Sequence, residues 1–492
     1  MQKQFTWLLC LFLPVFQSVG QKAAIEESVD SVEAISHFTF LASDELKGRD
    51  AARMEIDIAA RYIKEQFRKY GAESVDTLGD FYQYVPFRQS APPKKGEVTF
   101  LDHTFTHGDD LLVLDGPDID ETLQMVYLGF GLEEDYEGKN VEGKVVVVKV
   151  GAPNRFAPTD MFASGREKMR LARNKGAAGV LELYNAPSTP WGLVVNFLNR
   201  PQMTLDENPD EEAALPYLWV KDTGGEWVKK IEGKELEVNL AVEGKVNRKI
   251  QGRNVVAYIP GTDPELSTTY VMLSAHYDHL GVGRPNAEGD SIYNGARDNA
   301  VGTVALINAA KYFAKNPPKR SILLCAWTAE EKGLLGSAYF SKNPMVSLKD
   351  IIYNLNIDNA GYNDTSVITV IGLGRTSVDT LIKEAVAEFG IEAIPDPAPE
   401  QGLYDRSDNV NFAREGIPAP TFSLGFTAFD EDVAKHYHQP SDRTDNFDMD
   451  YALLYWKAYL LSAEKIANEI DQPLWEPGDK YEEAAKSLYG LP

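Results

Sequence analysis

The chain has 492 residues, too long for one ordinary domain and enough for two or three. With 43% hydrophobic and 25% charged residues, it has the composition of a soluble protein that can bury a sizeable core. A formal net charge of -25 argues against nucleic acid or an anionic membrane as main partner.

In chain order, residues 1–20 read as a cleaved secretory signal. Lys3 supplies a positive start, Trp7–Phe16 a short apolar run, and Ser18-Val19-Gly20 small residues at the cleavage positions. The run is too short to span a bilayer comfortably, and no other segment is long and apolar enough to do so. Export to the periplasm or the extracellular space is expected, with no transmembrane segment in the mature chain. Cleavage would leave Cys325 as the one thiol, too few for an intramolecular disulfide, and its setting in SILLCAW reads as strand core.

Residues 21–96 contain an amphipathic helix over Ala51–Tyr70, with Met54, Ile58, Tyr62, Ile63 and Phe67 at helical spacing. Arg49, just before it, reads as a structural ion-pair partner. Residues 97–248 change to short β-rich runs (EVTFLD, LLVLDG, QMVYLGFG, KVVVVKV, AAGVLELYN) with a helix at Arg166–Lys175. His103 and His107 in that segment lack further ligands nearby and read as solvent-exposed.

Residues 249–492 alternate. Strands are predicted at TYVMLSA, SILLCAWTA, IIYNLNIDNA, SVITVIG and APTFSLG, and helices at Val301–Ala314 and Val378–Phe389. A last helix buries Leu453, Leu454, Trp456, Leu460 and Ile466. This pattern predicts an α/β fold with a mostly parallel central sheet flanked by helices, into which the β-rich segment is inserted. In such sheets chemistry collects at the carboxyl ends of strands.

The chemistry-bearing residues lie there. His276 and Asp278 are two apart at a strand end, so both can point to one side, the aspartate placed to orient the imidazole. Glu330 and Glu331 are adjacent and diverge, which suits one metal ligand and one base. Asp298, in a Gly-Ala-Arg-Asp-Asn turn before a helix, can bridge two ions. Asp358 follows a strand, and His438 stands in HYHQPSD. Singly, each has an ordinary reading: a surface pair, a solvated Glu-Glu, a helix N-cap. As a set they fit zinc, which takes imidazole and carboxylate ligands and keeps a coordination position open in catalytic sites.

These motifs (HYDHLG, GARDNAVG, TAEEKGLLGSAYF, the strand aspartate, HQPSD), with LASDELKGRD upstream, resemble the M28 family of zinc peptidases over residues 30–95 and 250–470. The segment between, with VEGKVVVVKVG and ARNKGAAGVLELYN, resembles a protease-associated (PA) domain. The resemblance implies two zinc ions per chain, one held by His276 and Asp358, the other by Glu331 and His438, with Asp298 bridging. It implies Glu330 as general base, Asp278 as partner of His276, and a cis peptide at Asp298–Asn299. Tyr404 matches a tyrosine that stabilises the oxyanion in similar aminopeptidases; a packed loop aromatic is its other reading. Asn409 departs from the family, which commonly has His there. Of the neighbouring histidines His279 and His436, neither is in the motif register.

The expected function is N-terminal trimming of peptides by a two-zinc metallopeptidase. A carboxypeptidase or dipeptidase of the same superfamily is the alternative, and a non-catalytic receptor-like protein a third reading. The PA-like segment would serve as lid, specificity element or assembly surface.

Overall fold

The computed structural model describes residues 20–76, 79–187, 189–206 and 215–492. The leader expected over residues 1–20 lies, except for Gly20, outside them. Among the described residues no helix is long and apolar enough to cross a membrane. The chain divides into two compact units: the part up to Val85 together with Gln251–Pro492, and Pro86–Ile250.

The first unit is built on helices α1 (Ser31–Leu41) and α2 (Met54–Tyr70) and an alternating series. In order these are β1 (Val246–Ile259), β2 (Tyr270–His276), α3 (Val301–Lys315), β3 (Ser321–Trp327), α4 (Leu335–Lys342), β4 (Ile351–Ile357), β5 (Val367–Ile371), α5 (Asp379–Ala387), β6 (Glu392–Pro395), β7 (Thr421–Leu424) and α6 (Met449–Asn468). The spatial order is β6-β5-β7-β4-β2-β3-β1. The central block β7-β4-β2-β3 is parallel, but β1 runs antiparallel to β3 and β5 antiparallel to β7. The sheet is therefore mixed rather than mostly parallel. The reason is connection length. A parallel return needs a crossover of a dozen or more residues, and the links β1–β2 and β4–β5 are shorter, so each forces a reversal.

β3 and β4 are buried at every position, as strands covered on both faces must be. One face packs Val271, Leu273, Leu324 and Leu355 under α2, α3 and α6. The other packs Met272, Leu323, Cys325 and Trp327 against α4 and a short helix at Asn409–Ala413. Cys325 is an inert core residue, its thiol pushed far up by burial.

Helix α2 buries Ile56, Ala59, Ala60, Ile63 and Phe67, whereas Met54 is 72% and Ile58 45% exposed. Ile63 and Phe67 thus face the core as expected, while Ile56 and two alanines, rather than Met54 and Ile58, complete the buried face. In α6, Trp456, Leu460 and Ile466 are fully buried and Leu453 and Leu454 partly so.

The Pro86–Ile250 unit contains the whole of segment 97–248. Its strands stand in the order His103–Thr106, Lys95–Phe100, Leu236–Glu243, Ile119–Tyr127, Val145–Lys149, Gly179–Tyr184, Tyr217–Lys221, Leu111–Asp115. The run from Ile119–Tyr127 to Tyr217–Lys221 is parallel. Its long helix covers Pro158–Asn174, beginning earlier than the expected Arg166, with proline in its first turn. His103 is exposed; His107 is half-buried, with Nε2 2.9 Å from Asn199 Oδ1.

Candidate metal centre

Three neighbouring parallel strands deliver the site. His276 ends β2, Asp358 follows β4, and Glu330-Glu331 follow β3 across Thr328-Ala329. Asp298 enters from the turn that starts α3, and His438 from a loop ahead of α6. Ala329 and His438 both take left-handed φ, +57° and +55°, which is uncommon for residues other than glycine and concentrates at functional turns. The turn at Asp298 is held from three sides. Asn299 Nδ2 donates to the Ile357 carbonyl at 2.8 Å, and Asp442 accepts the N–H groups of Arg297 (3.0 Å) and Asp298 (3.1 Å). Gly302 approaches so closely that a Cβ there would meet Asn299 Oδ1 at 2.3 Å. The Asp298–Asn299 peptide is cis.

The two oxygens of Asp298 face different partners. Oδ1 lies 3.1 Å from His276 Nε2, which is also 3.2 Å from Asp358 Oδ1. Oδ2 lies 3.2 Å from His438 Nε2, which is 3.4 Å from Glu331 Oε2. Two imidazole–carboxylate sets therefore share one aspartate. His279, fully buried, reaches Glu331 Oε1 with Nδ1 at 2.7 Å and makes a further candidate cluster with Asp298 and Glu331. His436, by contrast, turns away, with Nδ1 2.9 Å from the Ser441 carbonyl.

Glu330 and Glu331 diverge as their adjacency requires. Burial drives the Glu330 carboxyl well up, with Asp358, Glu331 and Asp408 adding to it and His276 opposing. Burial also acts on Glu331, but the bonds from His279 and His438 bring it down to about 2. Burial opposes protonation of His276, yet Glu330 and Asp358 hold it well above its ordinary value. His438 is raised to about 10 against its burial by Asp298 and Glu331. The pocket is a field of buried anions that draws protons onto its imidazoles. A divalent cation would neutralise the same field, so the donor set fits metal binding.

Asp278 differs in detail from the expected pairing. Its backbone carbonyl, not its carboxylate, lies within hydrogen-bond distance of His276 Nδ1, at 3.2 Å. The carboxylate instead accepts the N–H groups of Glu330 (3.0 Å) and Glu331 (3.3 Å), and so fixes the loop that presents them. Arg49 is not the expected ion-pair partner: it makes no ion pair among the described residues. It is buried and donates to the carbonyls of Leu41, Tyr277, Asn294 and Gly295, tying the strand end and the Asp298 turn together from beneath.

Tyr404 donates its hydroxyl to the Ala419 carbonyl at 2.8 Å, with the Arg375 guanidinium 4.1 Å from its ring centroid. Asn409 is buried and donates to the same carbonyl at 3.1 Å. Neither lines the pocket beside Asp358. That pocket is walled by Ile371, Phe426, Ser407, Arg406 and Tyr437. Tyr437 stacks on His438 at 4.0 Å, and its hydroxyl accepts from Arg406 at 3.2 Å. Sequence reading missed Tyr437 and Asp442, and set His279 aside as outside the motif register. All three lie inside the motifs that carry His438 and His276, Tyr437 and Asp442 in HYHQPSD and His279 in HYDHLG.

Residues 254–459, which include every residue of the centre, match the model of peptidase family M28, and residues 121–227 match the PA domain. Among curated proteins, "probable leucine aminopeptidase 2" of Aspergillus oryzae is 24% identical over 439 residues, covering 84% of this chain and 79% of that protein. Its counterpart in Aspergillus fumigatus is 25% identical over 411 residues, covering 75% and 73%. Among solved structures, an aminopeptidase from Aneurinibacillus sp. strain AM-1 superposes with a TM-score of 0.50 at 20% identity. It covers 93% of this chain and 98% of that one, a likeness of fold.

Proposed function

The chain carries a peptidase domain of family M28 with an inserted PA domain, and on that premise we propose that it is an exported two-zinc aminopeptidase. The observation that carries this reading is the division of Asp298, one oxygen to each of two histidine–carboxylate sets, with Glu330 beside one of them. His276 and Asp358 would hold one ion, Glu331 and His438 the other, with Asp298 shared. His279 braces Glu331 from behind. Zinc, when bound, polarises the scissile carbonyl and makes water acidic enough to attack at neutral pH.

The chain's own residues do the rest. Glu330 takes the proton from the attacking water and delivers it to the leaving amine, a role for which general bases contribute roughly 10²–10⁴ in rate. Asp278 and Arg49 hold the backbone that aims Glu330 and the Asp298 turn. Tyr437, which lines the pocket beside Asp358, would donate to the oxyanion in place of Tyr404, whose hydroxyl is bonded to the Ala419 carbonyl. The apolar walls Ile371 and Phe426 would receive the side chain of the first residue, in keeping with relatives called leucine aminopeptidases.

A second reading draws on Arg406: a guanidinium in that wall would dock a C-terminal carboxylate in a carboxypeptidase or dipeptidase. One peptide offered free, N-acetylated and C-amidated, each with and without chelator, separates the two. Chelator-sensitive cleavage lost only on acetylation supports the aminopeptidase, and loss only on amidation supports the alternative. Glu330→Gln should lower kcat about 10²–10⁴-fold with bound zinc unchanged; retained turnover would remove Glu330 from the base role.

A further inference from the structure

We propose that the Pro86–Ile250 unit has a binding site of its own, for an α-amino acid with an apolar side chain, at the carboxyl ends of its parallel strands. Val145–Lys149, Gly179–Tyr184 and Tyr217–Lys221 are parallel neighbours, so their carboxyl ends share one edge, where open α/β sheets receive ligands. A cavity of about 300 Å³ opens at that edge, the size of a small-molecule site. Each strand contributes a polar residue at or just past its end: Lys149, Asn185 and Asp222. The remaining wall is largely apolar, with Phe130, Val150, Leu183 and Val228; Lys229, which also lines it, is paired with Glu226 at 2.8 Å.

The unsatisfied group is Asp222. It is 1% exposed; Oδ1 accepts the Trp227 N–H at 2.8 Å, and Oδ2 has no hydrogen-bond partner among the described residues. A buried carboxylate oxygen without a donor is costly, and a ligand ammonium supplies the donor. Lys149 makes no ion pair among the described residues; its ammonium stands 5.3 Å from the Phe130 ring centroid. Lys149 and Asp222 line the same cavity from strands with one strand between them, and no ion pair joins them. Opposite charges that line one cavity without pairing suit the two ends of one small zwitterion. The apolar wall between them selects its side chain. None of this depends on the catalytic reading, although the ligand is of the class that peptide hydrolysis releases.

The test is calorimetric titration of the full chain with L-leucine, isoamylamine (no carboxylate) and 4-methylpentanoate (no ammonium). Asp222→Asn keeps an acceptor for the Trp227 N–H, and Lys149→Met keeps the stem over Phe130, so both should fold with unchanged thermal midpoints. Leucine should bind the native chain and weaken at least about tenfold in each variant, the expected loss of one charge-assisted contact. Isoamylamine should respond only to Asp222→Asn, and 4-methylpentanoate only to Lys149→Met. Leucine affinity unchanged in both variants, or no binding at millimolar leucine, would overturn the assignment. Lys149→Met, at a half-buried position, keeps the question open to refutation if Asp222→Asn proves unstable.

Discussion

In the Pro86–Ile250 unit one buried carboxylate, Glu182, meets one buried ammonium, Lys168, at 3.3 Å. At the strand ends of the peptidase unit, Asp278, Asp298, Glu330, Glu331, Asp358 and Asp408 gather around three imidazoles with Arg49 beneath. The first is a one-to-one match of opposite charges. The second holds more negative charge than the chain itself compensates, and a fold tolerates that where a cation from outside completes it. Buried charge in matched pairs is architecture, and buried charge in excess marks a ligand site.

Breaking each side of this contrast should have opposite consequences. The largest effect is expected from Asp298→Asn, which removes the shared ligand: zinc per chain, measured by elemental analysis, should fall from two to below one, and turnover below detection. Two ions retained would refute the shared role. Next, Lys168→Met strands Glu182 and should destabilise its unit by about 3–5 kcal/mol in denaturant unfolding, with zinc content unaltered. A loss of zinc there would show that the two kinds of buried charge are not independent.

Smaller effects sharpen the contrast. Tyr437→Phe should lower kcat about tenfold or more by removing an oxyanion donor, whereas Tyr404→Phe should leave kcat within about twofold. The reverse order would restore Tyr404 to the site. Last, burial outweighs Lys168 and raises the Glu182 carboxyl from 4.5 to about 7. An acid raised on folding contributes its stability below the unfolded value and loses it as pH climbs through the folded one. The unit should therefore weaken between about pH 4.5 and 7 as pH rises, and Glu182→Gln should remove that part of the slope in thermal melts.

Much of the centre was legible because its residues sit at ends of local elements. An apolar run such as YVMLSA or SILLCAW announces a buried strand, and the polar residue that ends or follows it must stand at the sheet's edge. His276, Glu330, Glu331 and Asp358 could be picked out that way. Residues whose roles are made by distant contacts could not. Arg49 serves four carbonyls, three of them beyond residue 270, Asp442 holds a turn at 297–298, and Tyr404 and Tyr437 look alike until their hydroxyl partners are known. The face of α2 was misread for a related reason: Ala59 and Ala60 outrank Met54 and Ile58 because neighbouring elements press close, which periodicity does not record.

The amino-acid order by itself determined the α/β alternation, the strand-end donors and the inserted β-rich segment, since each follows from periodicity and residue chemistry over short spans. Tertiary structure alone decided the mixed strand directions, the contact of His279 with Glu331 and the loop-fixing role of Asp278. Those depend on where residues tens to hundreds of positions apart meet in space, and on how much water and counter-charge the packing leaves around them.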